Sequence, residues 1–408
     1  MTPGSAVEFL IWLLLAASII AILAARLRIP YTVSLVLGGL LLATLHVPIL
    51  PALLVSHRPG WLTPEVILIV FLPALVFEGS VKIDMRHLVR DFAPLLLLAT
   101  VGVLIATSVT GFLVHGVMGL PLVVALLFGS IISATDPISV LAIFRDLKTA
   151  GRLALLIEGE SLLNDGTAVV VFEILLAAMI GGRLSMIRGM GQFCLAVAGG
   201  LALGAALGYL ANKITATVDD PPIEITLTTI LAYGSYLLAR HLHLSGVIAT
   251  VAAGLMVGNF GGEKVMSART RTAMLSFWEY AAFVINSMVF LLIGLEVRVS
   301  SLVHAWRPVL LAVAAMLLGR AVSVYPLVGI SNVIAARVPF RWQHVAVWGG
   351  LRGALALALA LSLEGSFPCR SLILDMTFGV VVFSILVQGL TMKPFLRVLK
   401  IAESNPET

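Results

Sequence analysis

Charged residues are scarce in this sequence. Only 12% of its 408 residues are Asp, Glu, Lys or Arg, whereas 60% are hydrophobic and the mean hydropathy is +1.08. A soluble domain is normally about a quarter charged. The composition therefore excludes an ordinary soluble domain and predicts a polytopic membrane protein.

Cysteine and enzyme motifs are scarce as well. Cys194 and Cys369 lie in distant segments without metal-ligand neighbours, which argues against a disulfide or zinc framework. The sequence contains no zinc motif, phosphate loop or Gly-x-Ser-x-Gly elbow, so neither an enzyme activity nor a cofactor is expected. No positive charge precedes the first apolar run, which argues against a cleaved signal peptide.

The isoelectric point is near 9.4, but the basic residues lie in short loops between apolar runs. Their expected partner is an anionic lipid leaflet and not a nucleic acid.

The apolar runs predict an all-α protein with about thirteen spans of the length that a bilayer requires. They cover residues 8–25, 31–46, 61–79, 92–115, 121–144, 152–181, 189–212, 223–239, 245–260, 273–296, 307–335, 342–364 and 371–392. One set of alternate loops holds 17 lysines and arginines and the other set holds 7. The positive-inside rule then predicts a cytoplasmic C-terminus and an outside N-terminus in a plasma (inner) membrane. We expect residues 401–408 to form only a short cytoplasmic tail.

The two halves of the chain share a weak repeat. Residues 70–75 (VFLPAL), followed by Glu78, resemble residues 289–294 (VFLLIG), followed by Glu296. Their separation spans an odd number of helices, as an inverted repeat requires. Each half also contains an interrupted apolar segment, at residues 134–137 (ATDP) and 349–353 (GGLRG). Paired interrupted helices indicate a transporter site.

Polar residues concentrate between residues 130 and 166. Pro137 lacks an amide hydrogen and disfavours helix at Asp136, so a helix is expected to break there. The next apolar segment carries Asp165 roughly 20 Å along a helix from Arg152. An ionisable group at such a depth costs roughly 3 kcal/mol or more and is by default a candidate functional residue.

Helical geometry divides these side chains between two faces. At about 100° per residue, Glu158, Ser161 and Asp165 share one face, while Glu160 and Asn164 point the opposite way. A hydroxyl and a carboxylate one turn apart suit a small hard cation, which prefers oxygen ligands. Other interpretations stay open at this stage: Glu158 is either functional or merely wetted by the nearby loop.

Two further acids have open interpretations. Asp136 is either an ion ligand or a helix cap, and Glu78, near Lys82, is either functional or an acid at the level of the lipid headgroups. Thr135 and carbonyl groups freed by the helix break are additional candidate ligands.

Four motifs together resemble the sodium/proton antiporter family, in particular the branch of NhaP-type antiporters and mammalian sodium/proton exchangers. They are residues 71–78 (FLPALVFE), 134–137 (ATDP), 158–166 (EGESLLNDG) and 349–354 (GGLRGA). The resemblance covers essentially the whole chain, with the motifs in the family's order. It implies a homodimer with two unwound helices that cross near the bilayer centre, and a core domain that moves as an elevator.

The resemblance also implies roles for individual residues. Asp165 corresponds to the exchanged carboxylate, with Ser161, Thr135 and Asp136 as partners at the sodium site. The resemblance also makes Asn164 an expected ion- or proton-binding residue, and the pair of Asn164 and Asp165 is typical of the electroneutral branch.

Four more positions match the family's pattern. Arg320 stands where the family has the arginine that pairs with the acid at Glu160. Arg352 lies in the second crossing helix, where its charge can offset helix dipoles. Glu78 matches an acid near the cytoplasmic access path of some prokaryotic members.

The domain organisation follows from the same resemblance. It places the dimerisation domain at 1–90 and 223–298, the core transport domain at 91–182 and 299–400, and a linker helix at 183–222. The expected function is electroneutral exchange of sodium or lithium for protons, with both competing for Asp165. A potassium/proton antiporter on the same fold stays open, and so does a channel or ion sensor without obligatory exchange.

Overall fold

A computed structural model of the chain describes residues 3–27, 30–45, 66–147, 149, 151–180, 186–261, 266–297 and 299–401. Within these ranges the chain is helical and contains no strand. The first half consists of α1 (Pro3–Leu27), α2 (Tyr31–Leu45), α3 (Leu72–Lys82), α4 (Met85–Arg90), α5 (Phe92–Leu97), α6 (Val103–Met118), α7 (Leu122–Ile131), α8 (Ile138–Asp146) and α9 (Gly151–Ile180). A π-helical turn at Ile67–Phe71 leads into α3, and a second one at Leu98–Gly102 joins α5 to α6.

The second half begins with three helices, α10 (Met186–Thr215), α11 (Pro221–His241) and α12 (Gly246–Phe260). It continues with α13 (Ala268–Glu296), α14 (Val299–His304), α15 (Trp306–Ile334), α16 (Phe340–Trp348), α17 (Ala354–Leu361), α18 (Arg370–Phe383) and α19 (Gly389–Val398). A π-helical turn at Ser384–Gln388 joins α18 to α19.

Several helices are long and apolar enough to cross a membrane. Among the described residues there are seven such segments, and shorter apolar helices cover Tyr31–Thr44, Leu122–Ile131 and Gly246–Phe260. Large apolar side chains such as Ile11, Leu41 and Ile230 are exposed on the outer surface, as expected where lipid replaces water. The all-α membrane fold is confirmed, and the count of thirteen spans stays a prediction.

Two interrupted helix pairs meet inside the fold. α7 ends at Ile131 and α8 begins at Ile138, while α16 ends at Trp348 and α17 begins at Ala354. The Asp136 N–H donates to the Leu351 carbonyl at 2.8 Å, which ties one interruption to the other. A Cβ at Gly353 would lie 2.1 Å from Asp136 Oδ2. Only glycine therefore fits where these two segments approach each other.

The helices pack in two groups on either side of a cavity. In one group α2, α3 and α11 pack on α13, and α12 packs on α3. In the other group α6 packs on α7 and α15, α9 packs on α7, and α18 packs on α15. α10 runs along α12 and also contacts α9. The cavity is lined by α3 and α13 from the first group and by α8, α9 and α17 from the second.

Candidate cation and proton site

The interruption between α7 and α8 supplies backbone oxygens to the site. The carbonyl groups of Ser133 and Thr135 lie outside any helix, so they need other hydrogen-bond donors. Asn164 Nδ2 donates to the Ser133 carbonyl at 3.1 Å, and Ser161 Oγ donates to the Thr135 carbonyl at 2.5 Å. Side chains of the unbroken helix α9 therefore hold the interrupted segment in place.

Four candidate ligands line one cavity of about 780 Å³: Thr135, Asp136, Ser161 and Asp165. Thr135 and Ser161 are almost fully buried, at 5% and 2% exposed. Within the part of the chain that the structure describes, Asp165 Oδ1 is buried and has no hydrogen-bond partner. Because buried polar atoms in folded proteins nearly always have a partner, this oxygen is the atom best suited to take up a proton or a cation.

Asp136 has the contact expected of a helix cap, and its role as an ion ligand stays a prediction. Its Oδ1 accepts a hydrogen bond of 3.0 Å from the Ile138 N–H, at the start of α8. The same carboxyl group lines the cavity. Asp136 therefore secures the start of α8 while it presents negative charge to the same space as Asp165.

Asn164 lies behind the cavity and not on its wall. Its side chain is 1% exposed, and its Nδ2 contacts both the Ser133 carbonyl and, at 3.3 Å, Thr135 Oγ1. The cavity lining from α9 consists instead of Glu158, Ser161 and Asp165 together with apolar neighbours. Asn164 therefore positions the interrupted segment, and the two faces of α9 separate as helical geometry predicts.

Glu160 points away from the cavity and contacts Arg320 on α15. Arg320 Nη1 and Nη2 donate to the two carboxylate oxygens of Glu160 at 2.5 and 2.6 Å, and both side chains are nearly inaccessible. Arg320 Nε and Nη2 also donate to the Ala346 carbonyl, at 3.2 and 3.0 Å. The ion pair therefore joins α9, α15 and α16.

A second buried arginine lies in the same region. Arg352, on the interrupted segment before α17, is 1% exposed and lies within electrostatic range of Glu160, Asp165 and Arg320. Among the described residues its Nε and Nη1 have no hydrogen-bond partner. Its positive charge therefore attracts the carboxylates of Glu160 and Asp165, although Nε and Nη1 form no direct ion pair with them.

The mouth of the cavity is also charged. Lys82 Nζ lies 2.5 Å from Glu78 Oε1 and 2.7 Å from Glu279 Oε1, so it bridges α3 and α13. Glu158 faces the same space from α9 and interacts electrostatically with Glu78 and Lys82. Glu78 is thus part of a charged group whose side chains are more exposed than the candidate ligands Thr135 and Ser161.

The ligand chemistry at the base of the cavity suits a hard monovalent cation. It consists of carboxylates, hydroxyl groups and carbonyls, which are the ligands that such ions prefer. In the described ranges no group of three His, Cys, Asp or Glu side chains is arranged to hold a metal ion. Glu279 and Asn286 on the opposite wall were not predicted from the sequence, because they lie far from Asp165 along the chain and share no motif with it.

The comparisons with known proteins assign the family. A family model described as "Sodium/hydrogen exchanger, transmembrane" matches residues 13–398. The chain belongs to the sodium/hydrogen exchanger family. The family predicted from the motifs is thereby confirmed, and it is a family of transporters and not of enzymes.

Several relatives of this sodium/hydrogen exchanger are similar over most of their length. The Na(+)/H(+) antiporter ApNhaP of Aphanothece halophytica is 42% identical over 90% of this chain and 69% of its own. The Na(+)/H(+) antiporter NhaH of Halobacillus dabanensis is 37% identical over 96% of this chain and 97% of its own. The structure of the sodium proton antiporter MjNhaP1 from Methanocaldococcus jannaschii superposes with a TM-score of 0.80 at 21% identity. It covers 99% of this chain and 100% of that one, which shows a shared fold.

Proposed function

We propose that this exchanger transports sodium or lithium in one direction and protons in the other, with Asp165 as the group that both bind in turn. The observation that carries the proposal is the buried, unpartnered Oδ1 of Asp165 at the cavity wall, close to Ser161 and Thr135 in the described structure. The names of the relatives, which are Na(+)/H(+) antiporters, support sodium and protons as the substrates.

The local charges support one-for-one exchange. A carboxylate can be neutralised either by one proton or by one monovalent cation. Because Asn164 is an amide and lies behind the wall, it contributes no second exchangeable charge beside Asp165. Asp136 and Arg352 keep their charges in both half-cycles under this scheme. Each half-cycle then moves the same net charge, and transport is electroneutral.

The two helix groups suggest how access alternates. The cavity lies between them, so a displacement of one group relative to the other would carry the site from one side of the membrane to the other. We assign α6–α9 and α15–α19 to the moving core and α1–α3 with α11–α13 to the static part, in an elevator mechanism with crossing interrupted helices. The proposed homodimer, inner-membrane location and outside N-terminus rest on the family resemblance and on the distribution of positive charge.

The experiment uses purified protein in proteoliposomes with an imposed pH gradient. Asp165→Asn should abolish sodium- and lithium-dependent proton movement, because an amide neither carries the proton nor provides an anionic ligand. The matched control is Asp84→Asn, an exposed helix cap that accepts a hydrogen bond from the Arg86 N–H at 2.8 Å. Asparagine caps helices as well as aspartate does, so the control should keep its rate. Wild-type exchange by a correctly folded Asp165→Asn protein would contradict the proposal.

Parallel runs with sodium, lithium and potassium identify the cation. Exchange with potassium alone would replace sodium by potassium as the substrate. Ion flux that follows the membrane voltage and ignores the imposed pH gradient would instead indicate a channel.

A further inference from the structure

Another buried carboxyl group lies outside the cavity, in the first turn of α11. Glu224 follows Asp219, Asp220 and two prolines, and its side chain is 0% exposed. Among the described residues, neither Oε1 nor Oε2 of Glu224 has a hydrogen-bond partner. The Asp165 site does not include this residue, and none of the four motifs contains it.

The surroundings of Glu224 join the ends of α11 and α13. Thr270 Oγ1, near the start of α13, donates to Asp219 Oδ1 at 3.2 Å. One turn beyond Glu224, Thr228 Oγ1 accepts a hydrogen bond of 3.1 Å from Trp278 Nε1 on α13. Glu224 is therefore enclosed near a contact between two helices of the group that we propose to be static.

The charges around Glu224 offer it no positive partner in the described structure. Asp219 and Asp220 act on it as like charges. Basic residues of the neighbouring helices are either exposed or engaged elsewhere. The helices packed against α11 carry the following charged groups, and α12 carries none: Arg188 and Lys213 on α10, Arg269, Arg271, Glu279 and Glu296 on α13, and Glu78 and Lys82 on α3. Of the basic residues, Arg188, Lys213, Arg269 and Arg271 are exposed, and Lys82 binds Glu78 and Glu279.

These conditions oppose a negative charge at Glu224. A buried carboxylate without a partner is strongly disfavoured and in practice takes up a proton. The two neighbouring aspartates add repulsion. The N-terminal end of α11 favours negative charge, but the helix dipole is a weaker influence than the loss of hydration.

We propose that Glu224 is a second proton-binding site, and that the ends of α11 and α13 pack closely only while it carries its proton. When the pH rises and the proton leaves, the carboxylate has no internal partner and must acquire water. The two helix ends then separate around it. This inference is independent of the exchange reaction, because Glu224 does not line the cavity that contains the candidate ligands, and its protonation needs no transported cation.

Infrared difference spectroscopy of the full chain in lipid tests the first half of this proposal. At neutral pH, where an exposed glutamate is ionised, the wild type should show a carboxylic acid carbonyl band that Glu224→Gln lacks. The double variant Asp219→Asn, Asp220→Asn should keep the band at acidic pH. Because it lacks the two negative charges that oppose ionisation of Glu224, it should lose the band at a lower pH than the wild type does. We therefore expect a downward shift of the pH at which the band disappears.

The result that would overturn the site is a spectrum in which wild type and Glu224→Gln share the same carboxylic acid bands at every pH. A carboxylate band assigned to Glu224 at neutral pH would overturn it as well. Because Asp165 is unchanged in all these proteins, loss of exchange in Asp165→Asn and loss of the Glu224 band are separate outcomes.

Hydrogen exchange tests the second half. The ratio of wild-type to Glu224→Gln exchange rates is measured for peptides from the starts of α11 and α13, because the ratio cancels the intrinsic effect of pH on exchange. We expect a ratio near one at acidic pH and a several-fold increase at alkaline pH. Peptides from α7, which is not one of the helices that pack closely against α11 in the described structure, serve as the control and should keep a constant ratio. A ratio that stays constant in α11 and α13 would overturn the coupling between the proton and helix packing.

Discussion

Replacing Glu160 with glutamine should destabilise the protein by about 3–5 kcal/mol, because it leaves the buried guanidinium of Arg320 without its counter-charge. The two side chains are only 3% and 6% exposed and make two charge-assisted hydrogen bonds, so solvent cannot take over the role of the missing partner. Arg352 lies nearby with the same charge and adds repulsion. Arg320→Gln should cost a similar amount, since it leaves a buried carboxylate instead.

The double variant distinguishes a direct pair from two independent contributions. Independent effects would sum to about 6–10 kcal/mol, whereas removal of both charges from a buried pair is often far milder. We expect the double variant to be no less stable than either single variant. The remaining cost comes from the Ala346 carbonyl, which loses the donors on Arg320.

The free energy of unfolding is measured by denaturant titration of the purified protein in detergent. Arg397→Gln on α19, an exposed arginine, is the matched control and should change stability by no more than about 0.5 kcal/mol. Strictly additive losses in the cycle would show that Glu160 and Arg320 do not interact energetically. Such a result would refute the argument drawn from their geometry.

Three further predictions concern the site. Gly353→Ala should lower the exchange rate at least tenfold, because the added Cβ would lie 2.1 Å from Asp136 Oδ2. The control is Gly365→Ala, whose added Cβ would have no atom within 4 Å and which should exchange normally. Equal rates for the two variants in a reconstituted assay would contradict the close packing. Lys82→Gln should lower the apparent KM for sodium at low ionic strength, because it removes a positive charge from the mouth, and the difference should shrink in high salt; a salt-independent change would argue against an electrostatic cause. Exchange should not respond to a potassium diffusion potential set with valinomycin, because Asp165 carries one exchangeable charge; a several-fold response would contradict one-for-one exchange.

The sequence predicted those parts of the site that depend on local geometry. The spacing of Ser161 and Asp165 along one helix places them on one face whatever the helix packs against. Pro137 has no amide hydrogen, so the interruption beside Asp136 is also a local property. The deep position of Asp165 followed from the length of apolar chain that separates it from Arg152.

Contacts between distant segments were not predictable in the same way. Arg152 begins the predicted span at residues 152–181, and the pattern of that span does not reveal that Arg152 binds the buried carboxylate of Asp91 at 2.6 Å and the carbonyl of Ala336 at 3.1 Å. Lys82 reaches Glu279 on another helix, and no short motif contains both residues. The burial of Glu224 depends on how α11 packs, which the pattern of one helix does not determine.

The central claim is that a cation and a proton compete for Asp165, and the acidic limb of the pH–rate profile tests it most directly. Protons displace the cation at low pH, and too few protons remain for the return step at high pH, so the rate should pass through a maximum. Mass action then requires a higher sodium concentration to move the acidic limb to lower pH. The measurement is the exchange rate of the reconstituted wild type across a pH series at two sodium concentrations. We predict an acidic limb that shifts downward as sodium rises, and a limb that stays at the same pH would contradict binding of both ions to one carboxylate.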